Sequence, residues 1–343
     1  MVRGIMLYHA FSAVVGAALW IGSIHVEYPY QLALIWLALF WDVFCAPGIV
    51  VIKMLAERSG GATAEWWKKV YGDFWPAVNI EHRVERQNAF VTLVFGYTVV
   101  AMLYQSTVNG IDAFFGKGIL GLIQAFCFNW IYFEIDGANI SSHAIRRHKV
   151  SALVWSITHL PFIMAFVLGG GALSRLVLAR DVHGSFLKHL TPAYEVRSEE
   201  EVLAGHRWFY CAGFGIALIC MCFISASHVH KDIEGLRLEK RKRLFWRFSV
   251  GVTLICLPLA ESLNSLELIG TVTALIVVAL STELWAASCK NERWCGRSKP
   301  CRYSGVCGKS KLKAMIVAGK EVDVDQLASA TTNGSRDGII AGL

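Results

Sequence analysis

Two carboxylates that share a helix face with histidine and arginine are the first chemical signal in this chain. They lie in Glu81-His82-Arg83-x-Glu85-Arg86. Glu81 and Glu85 are four apart, as are His82 and Arg86, so on a helix they make two adjacent stripes. Such an acid–arginine network at the mouth of a cavity can hold a carboxyl protonated or bind an anionic group. The same residues also suit a solvated helix start, where acids meet the positive end of the helix dipole. A second group is Glu134-Ile-Asp136 with His143 and Arg146-Arg147-His148-Lys149. Glu134 and Asp136 end an apolar helical run, where acids oppose the dipole, which favours a site role for them. Arg146 and Arg147, just before the next apolar run, also serve as positive anchors at a membrane surface. A third signal is His159 in Trp155-Ser-Ile-Thr-His159-Leu-Pro161. An imidazole inside an apolar segment needs a hydrogen-bond partner. Pro161 frees the carbonyl of residue 157 to supply one. His159 then either ties helices together or takes part in chemistry.

Asp42, Glu261 and Glu283 are further acids in apolar stretches, each expected to pair with a neighbour such as Asn264 or His159. Phe40, Trp41, Trp75, Trp130, Tyr132 and Phe133 join Trp155 as an aromatic set. It suits core packing, an interfacial belt, or a pocket wall whose ring faces stabilise a cation.

These residues need elements to hold them. The chain is 55% hydrophobic and 17% charged, with mean hydropathy +0.47, against about 25% charge in a soluble domain. That favours an all-α polytopic transmembrane helix bundle. Eight apolar segments approach the ~20 residues a span requires: 5–24, 31–54, 88–106, 113–133, 150–170, 207–227, 245–263 and 266–287. The first lacks a small-x-small cleavage site and reads as a span, not a removed leader. Lys and Arg concentrate in alternate loops (55–87, 134–149 and 228–244), whereas 25–30 and 107–112 have neither; of the opposite set only 171–206 is basic. By the positive-inside rule this orients both termini to the cytoplasm, in an endoplasmic reticulum or other endomembrane. The net charge of +7 then reflects these loops, and no nucleic-acid partner is expected. Both acid clusters fall on the cytoplasmic face.

The expected division is a transmembrane helical domain over 1–287 and a largely disordered polar tail over 288–343. The tail carries Cys289, Cys295, Cys301 and Cys307, six apart, which is not the paired spacing of a zinc site and suits lipidation among Lys and Arg. The other cysteines lie in or beside apolar runs and read as small core residues. His228-Val-His230 is a pair of potential metal ligands, too few by themselves, so no metal is expected. The Asn139 and Asn333 glycosylation patterns fall on the cytoplasmic side and are expected to stay unmodified.

At these same residues the chain resembles the low temperature requirement A family of membrane proteins. The resemblance is carried by His82-x-x-Glu85-Arg86-x-x-x-Phe90, Tyr132-Phe133-Glu134 followed by Arg146-Arg147, and Trp155-x-x-x-His159-Leu-Pro161. It runs from about 78 to 175. It departs where the family has Gly-Glu and this chain has Gly96-Tyr97, and where the family has an N-terminal acidic, Phe-rich motif. One fungal branch of the family is similar to membrane-bound terpene cyclases of meroterpenoid pathways, of the ascofuranone and macrophorin type. That resemblance implies acid-initiated cyclisation of a prenyl alkene or epoxide, without cofactor, on a lipophilic prenylated substrate in the bilayer, alongside other pathway enzymes. It would make Glu85, Glu134 or Asp136 the acid and His159 a catalytic partner. His82, Arg86, Glu81 and Trp155 would orient them. A buried carboxyl, excluded water and aromatic walls suit such chemistry. No Asp-rich diphosphate motif is present. The alternatives are a transporter or stress-related membrane protein that uses the same charges as a proton relay, and a structural protein whose polar groups lock helices together.

Overall fold

A computed structural model describes residues 3–59, 61–67, 69, 79–107, 111–137, 140–230 and 236–288. Trp75, Asn139, Asn333 and the four tail cysteines lie outside the described residues, as does the tail from 289. Helices α1 (Arg3–Ile24), α2 (Tyr30–Ser59) and the short α3 (Gly61–Trp67) come first, then α4 (Ile80–Ala101) and α5 (Ala113–Trp130). α5 continues as a π-helical turn, Ile131–Asp136. β1 (Ile140–Ser142), α6 (Ala144–Arg147) and α7 (Lys149–Leu178) follow, then α8 (Pro192–Glu195), α9 (Ala204–Ser227) and β2 (Val229–His230). α10 (Lys240–Cys256) and α11 (Ser265–Ala286) complete the bundle.

Helices of 17 residues or more occupy all eight expected positions. Among the described residues five stretches are long and apolar enough to cross a membrane: Met6–Ile24, Ala113–Asp136, Lys149–Leu178, Ala204–Ser227 and Ser265–Ala286. Two of the other three, α4 and α10, fall short for chemical reasons. In α2 the described apolar stretch is Tyr30–Cys45, and the sequence stays apolar through Gly48-Ile-Val-Val-Ile52. The first turns of α4 carry Glu81–Arg86, and α10 opens on Lys240-Arg-Lys-Arg243 with Arg247 a turn further in.

Side chains set the helix starts. Asp112 accepts from Phe115 N to begin α5, and His148 and Ser151 form a capping box on α7. Asn264 and Glu267 do the same on α11, so the acid that pairs with Asn264 is the exposed Glu267 of its own helix start. β1 and β2 pair antiparallel, with Ile140 opposite His230. This short ladder ties the segment after α5 to the segment after α9.

The core lies among α4, α5, α7, α9 and α11, around buried rings such as Phe95, Phe128, Phe166 and Phe214. Phe166 stands 4.9 Å from Phe95 and 5.2 Å from Phe214, centroid to centroid. Large apolar side chains also cover the outside, among them Phe11, Trp36, Leu93, Phe126 and Phe223, as a lipid-facing surface requires. In lipid the helices gain little from hiding apolar surface from each other, so close van der Waals packing must hold them. Glycines provide it. A Cβ on Gly213 of α9 would stand 2.7 Å from Ala165 O and 2.8 Å from Gly169 Cα of α7. One on Gly215 would stand 2.6 Å from Gly251 O of α10.

Gly213→Ala should therefore force α7 and α9 apart and cost about 1–3 kcal/mol, the usual range for overpacking. Gly205→Ala, at the open start of α9 with nothing within 4 Å, should cost little. Thermal unfolding of both variants in detergent checks this; equal losses would contradict the packing assignment.

Candidate functional site

Arg247 is 1% exposed and lies on the buried face of α10, in line with Arg243 one turn before and with Gly251 and Leu254 after. Its NH1 donates to Asp136 Oδ2 at 2.6 Å, and its NH2 and Nε donate to Glu283 Oε1 at 2.6 and 2.9 Å. Arg243 NH1 lies 3.3 Å from the other Glu283 oxygen. Asp136 and Glu283 are 4% and 2% exposed. The π-turn places Asp136: its wide winding, closed by Gly137 N donating to Tyr132 O at 3.1 Å, puts Tyr132 and Asp136 both in the interior while Glu134 faces out. A single π-turn is a common device at functional sites. Glu283 follows the buried stripe Val272, Ile276 and Ala279 along α11.

Two further groups join this centre. Lys240 Nζ donates to Ser225 O (2.6 Å) and His228 O (3.0 Å) and lies 2.7 Å from His230 Nδ1. His230 Nε2 lies 3.1 Å from Asp136 O. A carbonyl can only accept, so Nε2 carries the proton and Nδ1 accepts from the lysine ammonium; His230 is neutral. Asp136, His230, Lys240, Arg243, Arg247 and Glu283 line a small cavity, about the size of one water molecule. Burial pushes Lys240 down from 10.5 to about 8, against the pull of Asp136. Burial, then the charge of Lys240, lowers His230.

Beside this centre lies a second cluster. His159, 2% exposed, bonds Trp155 O through Nδ1 at 2.6 Å and Tyr132 OH through Nε2 at 2.9 Å. Nδ1 must hold the proton, so the tyrosine donates to Nε2. The local carbonyl is that of Trp155, not of residue 157, because the imidazole folds back onto its own preceding turn. Rings enclose the pair: Tyr132 stacks on Phe162 at 5.7 Å, and Trp155 stands 4.6 Å from His159. His143 and His228 lie 4.5 Å apart next to Trp155. His228 Nδ1 accepts from Ala144 N. Among the described residues no three His, Cys, Asp or Glu side chains converge as metal ligands.

Of the residues singled out from sequence, Asp136, His159 and Trp155 are buried at this end of the bundle. Glu134, Glu81, His82, Glu85 and Arg86 are exposed. Glu81 reaches Arg146 at 3.5 Å, which joins the two sequence clusters, and His82 lies 3.8 Å from Glu85. Both pairs are exposed, where such contacts contribute about 0–1 kcal/mol. Glu283 pairs with arginines and not with Asn264 or His159. Asp42 accepts from Trp20 Nε1 at 2.8 Å within the α1–α2 hairpin, and Glu261 is exposed in the turn before α11. Arg247 was invisible as a site residue because it follows a basic run and reads as part of it. Its signal was position: Lys240, Arg243, Arg247, Gly251 and Leu254 fall three or four apart, on one helix face.

The fold and this site define a polytopic all-α membrane protein with charged side chains buried at one end of its bundle. Residues 2–282 match the family described as bacterial low temperature requirement A protein (LtrA), and the chain belongs to that family. The match extends well beyond the 78–175 segment that carries the motifs. No curated protein and no solved structure matches the chain.

Burial, with His143 as the second cause, pushes His228 from 6.5 down to about 3. The unfolded chain protonates this residue near 6.5 and the folded one only near 3. Its neutral ring therefore contributes stability fully above pH 6.5, and that contribution is lost as pH falls from 6.5 toward 3. The melting temperature in detergent should drop across this window. His228→Asn, which accepts from Ala144 N without titrating, should flatten the drop; an unchanged pH profile would contradict the assignment.

Proposed function

We propose that this LtrA-family protein is a proton-coupled membrane transporter and that the Arg247 centre is its proton-exchange site. The observation that supports this is the chain of contacts Lys240–His230–Asp136–Arg247–Glu283–Arg243 around a water-sized cavity. Ionisable groups at such depth are costly and mark ion or proton pathways by default. Lys240, at about 8, exchanges its proton near physiological pH. Its ammonium gives one proton to water and becomes an amine, whose two N–H groups then face three acceptors, Ser225 O, His228 O and His230 Nδ1. In this reading the site faces the cytoplasm of an endomembrane, both termini lie on that side, and residues 288–343 form a separate tail.

A second reading, a membrane-bound terpene cyclase of meroterpenoid biosynthesis, is favoured by the ring shell around Tyr132 and His159. An acid would protonate a prenyl alkene carbon or epoxide oxygen, ring closure would move the cation, and a base would take back one proton, a net isomerisation. Aromatic faces lower the energy of such a cation. Asp136 and Glu134 are the nearest acids along the chain, and Glu85 stands further off on exposed α4.

Purified full-length protein in liposomes loaded with a pH-sensitive dye distinguishes the two. Proton flux above that of empty liposomes is expected, falling as pH rises through about 8 as Lys240 loses its proton. Lys240→Arg should abolish that inflection. No flux, together with conversion of a prenylated phenol or its epoxide by microsomes bearing the chain, would replace the first reading with the second.

A further inference from the structure

α5 and α11 run parallel, and buried polar side chains stand on their interface at three depths. At the end opposite Arg247, Lys117 is completely buried. Its Nζ donates to Ala179 O (2.5 Å), Leu176 O (3.2 Å) and Ser265 Oγ (3.2 Å). Ser265 in turn donates through N and Oγ to Asp181. Further along, Gln124, 1% exposed, donates through Nε2 to Thr273 Oγ1 (2.7 Å) and lies 2.8 Å from Tyr210 OH. The third level is Asp136 and Glu283, joined by Arg247. Lys117 and Asp136 are 19 residues apart, or about 28 Å at a helical rise of about 1.5 Å per residue. That matches the ~30 Å hydrocarbon thickness of a bilayer. Between the second and third levels the seam is apolar: Phe128, Ile131 and Ile276 are 0% exposed and Leu280 is 8% exposed. Helix packing alone does not call for this file; the tightest neighbours, α7 with α9 and α9 with α10, meet through glycines.

We propose that the α5–α11 seam is a transbilayer proton route, with Lys117 as the proton-binding group at the far end. Gln124, Thr273 and Tyr210 form the midway station, and Phe128, Ile131, Ile276 and Leu280 form an apolar break that keeps the route closed at rest. This rests on the proton-transfer reading above. The step balances without a redox partner. Lys117 gives one N–H proton to a water entering the seam and becomes a neutral amine. Asp136 or Glu283 takes one proton as a carboxylic acid, and Arg247 keeps its charge throughout. Asp181 and Asp112 are the acids that act on Lys117 from the loops around it.

The test is proton flux into dye-loaded liposomes under an imposed potential, for the full-length protein and for Lys117→Met, Gln124→Leu and Thr273→Val. Each variant should cut flux tenfold or more with unchanged helical content and elution volume. Leu280→Ser, which wets the break, should raise it. If Lys117→Met does not fold, the nearly isosteric Thr273→Val and Gln124→Leu decide the matter. Wild-type flux with undiminished flux in the folded variants overturns the route and leaves the proton-transfer reading standing. No flux from the wild type overturns both.

Discussion

A guanidinium cut off from water must have its charge matched, and Arg247 is matched twice, by Asp136 and by Glu283. Moving each of these ions out of water costs several kcal/mol, so the network contributes position more than net stability. Three chain segments are fixed by it: the π-turn after α5, the first turns of α10, and the last turns of α11. The matching is geometric as well as electrical. Arg247 turns one nitrogen to Asp136 and two to a single Glu283 oxygen, and Arg243 takes the other oxygen. A one-residue slip of α10 or α11 would leave at least one buried carboxylate unpaired.

The rest of the bundle delivers the partners. Gly215 and Gly251 let α9 and α10 approach to backbone contact, which brings the basic start of α10 under the end of α9. The β1–β2 ladder then sets His230 against Asp136 O and Lys240. Charge is thereby gathered at the bundle end, while rings fill the middle and the outside is apolar. The same division recurs along α5 and α11, where Lys117, Gln124 and Asp136 interrupt an otherwise apolar seam. Each polar side chain there finds a hydrogen-bond partner, as a medium without water requires.

Much of this was legible in the residues. Apolar run length gave the helix positions, because a span leaves a long signal that local propensity cannot mask. Among the described residues five of the eight segments meet the requirement of a span, and two of the others, α4 and α10, carry charge in their first turns. The site was legible in part. Asp136, His159 and Trp155 stand out as polar or aromatic residues in or beside apolar runs, and they are buried. Glu81, Glu85 and Glu134 have the same composition signal but face outward, because a charge pattern does not report which side of a helix packs. Glu283 stands out as an acid in an apolar run, whereas Arg247 and Lys117 become visible only when charge is read together with helical phase, and the pairings of Arg247 need contacts 36 and 111 residues apart in sequence.

The double-mutant cycle of Arg247→Met and Glu283→Gln, followed by equilibrium unfolding in detergent, measures the central interaction directly. Each single change leaves a buried group without its partner, while the double change removes both. The two losses should fall short of additivity, with a coupling energy above about 1 kcal/mol, within the ~0.5–3 kcal/mol found for residues in one ion-pair network. Losses that add to within about 0.5 kcal/mol would mean that Arg247 and Glu283 do not depend on each other, and that the bundle end is held by something else.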